Sequence, residues 1–140
     1  MRGRAGFTAV ELLVVIGLCA IVARSALTGL PAITRTLRLA TSARTLAQRL
    51  RETRAQALAE GAPLDARFDA PTSTWRIETV DGTIRETHAL PSAVVFGALP
   101  ASARIRFGAT GNAENGTVVM TTGVADRRIV VNQRGRVRLL

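Results

Sequence analysis

Lysine is absent from this 140-residue chain, and cysteine and histidine occur once each, as Cys19 and His88. One cysteine excludes an intramolecular disulfide, and a lone thiol inside an apolar run serves as packing filler. His88 has no Cys or His cluster beside it, so zinc ligation of the usual kind is not expected. Also missing are a Ser/His/Asp set at a recognisable elbow, a phosphate-cradling glycine loop after a strand, and a close carboxylate pair at helical offset. The chain therefore reads as a non-enzyme with neither cofactor nor metal. Asp65 and Asp69 alternate on one strand and are expected to be solvated.

Basic charge is abundant. All nineteen basic residues are arginine, and the formal charge is +9. Arginine without lysine, together with plentiful alanine, most simply reflects a GC-rich genome, so arginine as such carries no functional meaning. Its distribution is more informative. Residues 24–60 hold seven Arg against two acids, residues 61–103 three against five, and residues 104–140 seven against two. A basic helix and a basic C-terminal segment flank a mildly acidic middle. That is either a solvated surface or an electropositive face for an anionic partner.

The apolar run 7–23 contains one acid, Glu11, and follows the short basic leader 1–6. A carboxylate in hydrocarbon costs about 2.5–3.5 kcal/mol, so such residues have a partner and a role. A cut between Gly6 and Phe7 would create an α-amine at the membrane depth of a neighbouring subunit's carboxylate. A secretory signal peptide would share the basic start and apolar core, but Glu11 in mid-core counts against it. A lipoprotein signal fails because Leu18 precedes Cys19. An ordinary membrane anchor explains the run but not the Gly-Phe junction. Seventeen helical residues reach about 25 Å, the short end for a membrane span.

Beyond the run, Leu30, Ile33, Leu37, Ala40, Ala43, Leu46, Ala47, Leu50, Ala57 and Leu58 recur at spacings of three and four, which predicts an amphipathic helix over 24–60. Gly29 and Pro31 should kink or loosen it, and Gly61 with Pro63 should stop it. From residue 61 the period becomes two. Strands are expected at 64–69, at 75–80 and 83–87 about an Asp81-Gly82 hairpin turn, at 94–96, 104–107, 117–121, 128–131 and 136–139. The predicted fold is α+β, a long N-terminal helix on an antiparallel β-sandwich or paired-sheet domain spanning 61–140.

The junction Gly6-Phe7-Thr8-Ala9-Val10-Glu11 resembles the class III signal of type IV pilins and type II secretion pseudopilins. Leu46-Ala47-Gln48-Arg49-Leu50-Arg51, Ile105-Arg106-Phe107 with Gly111, and Ile129-Val130-Val131 with Gly135-Arg136-Val137-Arg138 resemble the H-type branch shared by the pseudopilin GspH and the minor pilin FimT. The resemblance implies a pilin-like fold, cleavage after Gly6 by a prepilin peptidase, methylation of Phe7, and subunit assembly through Glu11. It also implies a single-pass inner-membrane protein with a periplasmic domain, in contact with other pseudopilins or pilins. The expected function is a minor pseudopilin of a type II secretion system. The alternative is a FimT-like minor pilin binding DNA for transformation through Arg134, Arg136 and Arg138, a fork suited to phosphates. Against that, a basic edge strand is a common guard against edge-to-edge pairing. A generic anchored domain would instead predict no cleavage at Gly6.

Overall fold

The computed structural model describes residues 8–140, the side chains of residues 25–32 excepted. The leader 1–6 and the junction Gly6-Phe7 lie outside the described residues. Helix α1 covers Ala9–Glu60 and carries through Gly29 and Pro31 without ending. Thr8 caps its start, with Oγ1 accepting from the Glu11 amide at 3.3 Å. Thr8 and Glu11 thus occupy the N-cap and N3 positions of a capping-box sequence. The stop falls where Gly61 and Pro63 place it. Gly61 adopts φ +61°, and the Ala62 amide donates to the Ala57 carbonyl at 3.3 Å. That six-to-one bond is the Schellman closure.

The chain forms two compact units that meet in sequence between Thr34 and Arg35. In the first, Val10, Leu12, Leu13, Val14, Val15, Ile16, Leu18, Ile21 and Val22 are all exposed. Among the described residues no helix is long and apolar enough to cross a membrane. The apolar run itself begins at Phe7, outside the described residues.

The second unit, Arg35–Leu140, holds two four-stranded antiparallel sheets. The strands are β1 Leu64–Asp69, β2 Thr74–Thr79, β3 Ile84–Ala89, β4 Val95–Ala98, β5 Arg104–Phe107, β6 Gly116–Thr121, β7 Asp126–Val131 and β8 Val137–Leu139. Their orders are β3-β2-β1-β5 and β4-β6-β7-β8. Alternation decides which side chains enter the core. Leu64, Ala66 and Phe68 of β1 are buried with Trp75, Ile77, Ile105 and Phe107 from the first sheet, and with Val118, Met120, Ile129 and Val131 from the second. Phe68 and Phe96 meet edge-on with centroids 5.7 Å apart, joining the two sheets.

Three expectations need correction. The buried stripe of α1 is Leu39, Ala43, Leu46, Ala47, Leu50 and Ala57, with Thr53 among them, whereas Ile33, Leu37 and Leu58 are exposed. Alanine and leucine fall on both faces of this helix, so spacing alone merged two stripes into one. The β2–β3 connection is not a two-residue turn. The ladder shifts at Ile77/Glu78, Asp81 Oδ1 accepts from the Thr83 amide at 3.1 Å, and Gly82 takes φ +93°. Finally, Asp65 is not solvated but 1% exposed. Arg106 grips it bidentately at 2.7 and 2.8 Å, and Arg104 lies 3.6 Å away. This pairing raises the Arg106 pKa above its ordinary value. Glu78 is held in the same manner by Arg67 and Arg76.

Candidate functional site

Two places carry the residues singled out by sequence, and they lie in different units. At the start of α1, Glu11 is exposed among exposed apolar neighbours, Val10 and Leu13 each at 69%. A carboxylate in the first turn is favoured by the amide ends and dipole of the helix, which accounts for its local placement. It does not account for the apolar surface around it. Phe7 and Gly6, assigned to methylation and cleavage, fall outside the described residues.

The second place is the β7–β8 turn. Its conformation is set by Asn132, whose Oδ1 accepts from the Arg134 and Arg136 amides at 3.1 and 2.9 Å. Gly135 completes it at φ +70°. A Cβ on Gly135 would lie 2.3 Å from the Gly111 carbonyl oxygen and 2.5 Å from Arg54 Nε. Only glycine lets the turn approach the helix this closely. The Ala113 amide donates to the Gln133 carbonyl at 3.0 Å and fastens the turn to the preceding loop.

The helix supplies the opposite wall. Arg54 Nε donates to the Gly111 carbonyl at 2.8 Å, and Arg51 Nη2 donates to the Val137 carbonyl at 3.3 Å. Arg51, Arg54, Asn132, Arg134, Gly135, Arg136 and Val137 line a cleft of about 680 Å³. Arg134 and Arg136 are brought together there. Arg138, exposed on β8 opposite Val130, does not line it. Sequence reasoning missed Arg51 and Arg54, which lie some eighty residues upstream. The only available signal was their three-residue spacing, which puts both on one helical face.

The arginines of this unit divide by charge pairing. Arg49 faces Glu52 at 3.1 Å and Glu86 at 3.7 Å. Arg85 meets Glu60, and Arg104 meets Glu114. Among the described residues, none of the four cleft arginines pairs with a carboxylate. Their positive charge remains available to an anion. His88, by contrast, stacks on Trp75 with ring centroids 4.3 Å apart and reaches Glu86 at 3.0 Å, a structural role. Among the described residues no group of three or more His, Cys, Asp or Glu converges to hold a metal ion.

Residues 42–135 match the family model of type II transport protein GspH. Two solved structures share the fold. The minor pseudopilin EpsH of the type 2 secretion system of Vibrio cholerae is 18% identical, with a TM-score of 0.62 over 74% of this chain and 96% of that one. The type IV minor pilin FimU of Pseudomonas aeruginosa is 18% identical, with a TM-score of 0.62 over 77% and 92%. No curated protein sequence matches significantly.

Proposed function

The chain belongs to the GspH family of type II transport proteins, and from that premise we propose that it is a minor pseudopilin of a type II secretion system, a structural subunit of a periplasmic filament. The observation that carries this reading is Glu11, an exposed acid in the first turn of a helix whose apolar side chains from Val10 to Val22 are exposed among the described residues. Cleavage after Gly6 leaves Phe7 as the new N-terminus, two residues before the helix begins at Ala9. Glu11 then pairs with the α-amine of an adjacent subunit, and the exposed stripe Val10 to Val22 packs in the inner membrane before assembly and against neighbouring helices after it. Prepilin peptidase is the processing partner and methylates Phe7.

Co-production with a prepilin peptidase, followed by mass spectrometry of the intact chain, tests the processing step. The expected product starts at methylated Phe7. A chain that keeps residues 1–6 would overturn the reading.

A second reading, a minor type IV pilin that captures DNA, is favoured by one specific observation. The cleft at Arg134 and Arg136 gathers cations that form no ion pair with a carboxylate among the described residues. Sequence expectation adds Arg138. Titration of the purified protein with duplex DNA separates the readings, since a subunit serving only in assembly has no need of salt-sensitive DNA affinity.

A further inference from the structure

We infer that the outer face of the sheet β4-β6-β7-β8 is a docking surface for a different protein, one that sets carboxylates around an apolar centre. The inference draws on the second unit alone and stands apart from Glu11 and from DNA capture.

The two sheets turn opposite kinds of surface outward. Side chains alternate across a strand, so residues that alternate with the core side chains form the outer face. On the first sheet these are Asp65 and Arg67 of β1, Arg76 and Glu78 of β2, and Arg104 and Arg106 of β5. The register sets Asp65 between Glu78 and Arg106, and Arg67 between Arg76 and Arg104. Asp65 and Glu78 are each held by two of those arginines. This face satisfies its own charges.

The second sheet is different. Its outer face carries Val95 and Gly97 of β4, Val119 of β6, Arg128 and Val130 of β7, and Leu140 just past β8. Val119 lies opposite Ala98 on one side and Arg128 on the other. Arg128 in turn exchanges both backbone bonds with Leu140, at 3.1 and 2.8 Å. A Cβ on Gly97 would lie 3.2 Å from Thr121 Cγ2 and 3.7 Å from Val119 Cγ1, which places Gly97 among the same outward side chains. Val95 and Leu140 are exposed, and Val119 and Val130 are half-buried. Asp126 and Arg138 stand at opposite ends of this face and offset each other in charge. Among the described residues, no ion pair involves β4, β6, β7 or β8. Arg128 is therefore an exposed cation among aliphatic side chains, with no carboxylate of its own.

That composition identifies the occupant. Protein interfaces have an apolar centre and are enriched in arginine, whereas a phosphate backbone is met by several polar and cationic groups. A second copy of this chain does not fit. Pairing the face with itself sets its positive charge against like charge. The first sheet has no uncommitted carboxylate to offer Arg128, and each chain carries a formal charge of +9. An acidic partner gains from that charge at long range and from Arg128 on contact.

The test places photoreactive p-benzoylphenylalanine at Val119, Val130 or Thr87 of the full chain, in cells that make it naturally. Thr87 is the control, exposed on β3 opposite Arg76. Irradiation should give a discrete protein adduct from Val119 and from Val130, and none from Thr87. Val119 and Val130 sit on adjacent strands, so one suffices where the other impairs folding. Mass spectrometry identifies the partner and should place its cross-linked peptide beside Asp or Glu. With that partner purified, Arg128→Glu should weaken binding about tenfold or more, and Val130→Ser about fivefold. Thr87→Glu should leave affinity within about twofold. Unfolding followed through Trp75 fluorescence should be unchanged in Arg128→Glu, since that side chain is exposed and unpaired. Equal adducts from Thr87, adducts only with a second copy or with lipid, no adduct, or wild-type affinity in Arg128→Glu would each overturn the docking face.

Discussion

Upstream of Thr34, α1 exposes Val10, Leu13, Ile16, Ile21 and Val22, while downstream of Arg35 the same helix buries Leu39, Ala43, Leu46, Ala47 and Leu50 to 1% or less. Both stretches are rich in aliphatic residues. They differ in where the covering surface comes from. The downstream stripe is covered by the chain's own sheets and contributes to folding. On the proposed reading, the upstream stretch gains its burial from lipid or from another subunit's helix. A large exposed apolar surface of this kind marks an interaction site, so on the proposed reading one helix serves folding at one end and assembly at the other.

Substitutions should respect that division. The largest effect is expected from Phe107→Ala, because Phe107 is completely buried. It should destabilise the domain by about 3–5 kcal/mol, read by denaturant unfolding through the fluorescence of Trp75. Leu13→Ala, of the same apolar character but upstream, should shift that transition by less than about 0.5 kcal/mol. Similar costs for the two would break the division.

Asp65→Ala comes next. It strands the bidentate Arg106, which is partly exposed and can recover some hydration, so about 2–3 kcal/mol is expected in the same assay. Gly135→Ala should cost about 1–3 kcal/mol, since φ +70° and the approach to Gly111 and Arg54 both oppose a Cβ. A Gly135→Ala protein with wild-type melting would show the turn to be loosely docked.

The smallest effect is acid sensitivity. The hydrogen bond from Arg85 holds the Glu60 carboxyl below its ordinary value of 4.5, and the Thr79 hydroxyl and Thr83 amide do the same for Asp81 below 3.8. A lowered folded pKa contributes stability that is fully present above the ordinary value and is lost as pH falls through the folded one. Between neutrality and about pH 5 these groups should leave stability flat. Below that, Glu60→Gln should show a shallower acid loss than wild type in a pH series of melting curves. An identical acid limb would remove the Glu60–Arg85 clamp from the ledger.

Local periodicity made most of the fold legible. Leu64, Ala66 and Phe68 marked β1 and its inward face, and Gly61 with Pro63 marked the helix stop, because these depend on neighbours within a few residues. The cleft was legible only on its turn side. Gly135 and Arg136 announce themselves in sequence, but Arg51 and Arg54 reach them through the docking of a helix on a sheet edge eighty residues away. Asp65 shows the same limit. Its alternation with Ala66 predicted the outward face correctly, yet burial beneath Arg104 and Arg106 comes from the neighbouring strand β5. Leu39 was missed because an aliphatic residue flanked by others on both faces has no distinctive period.

Recovery of Glu11→Ala in sheared filaments, relative to wild type and with N-terminal processing verified on the same sample, decides whether Glu11 belongs to assembly. Processed but unincorporated protein with an unchanged unfolding transition is the expected result. Incorporation at the wild-type level would contradict the pairing of Glu11 with a neighbour's N-terminus and leave the acid with only its place in the first turn of α1.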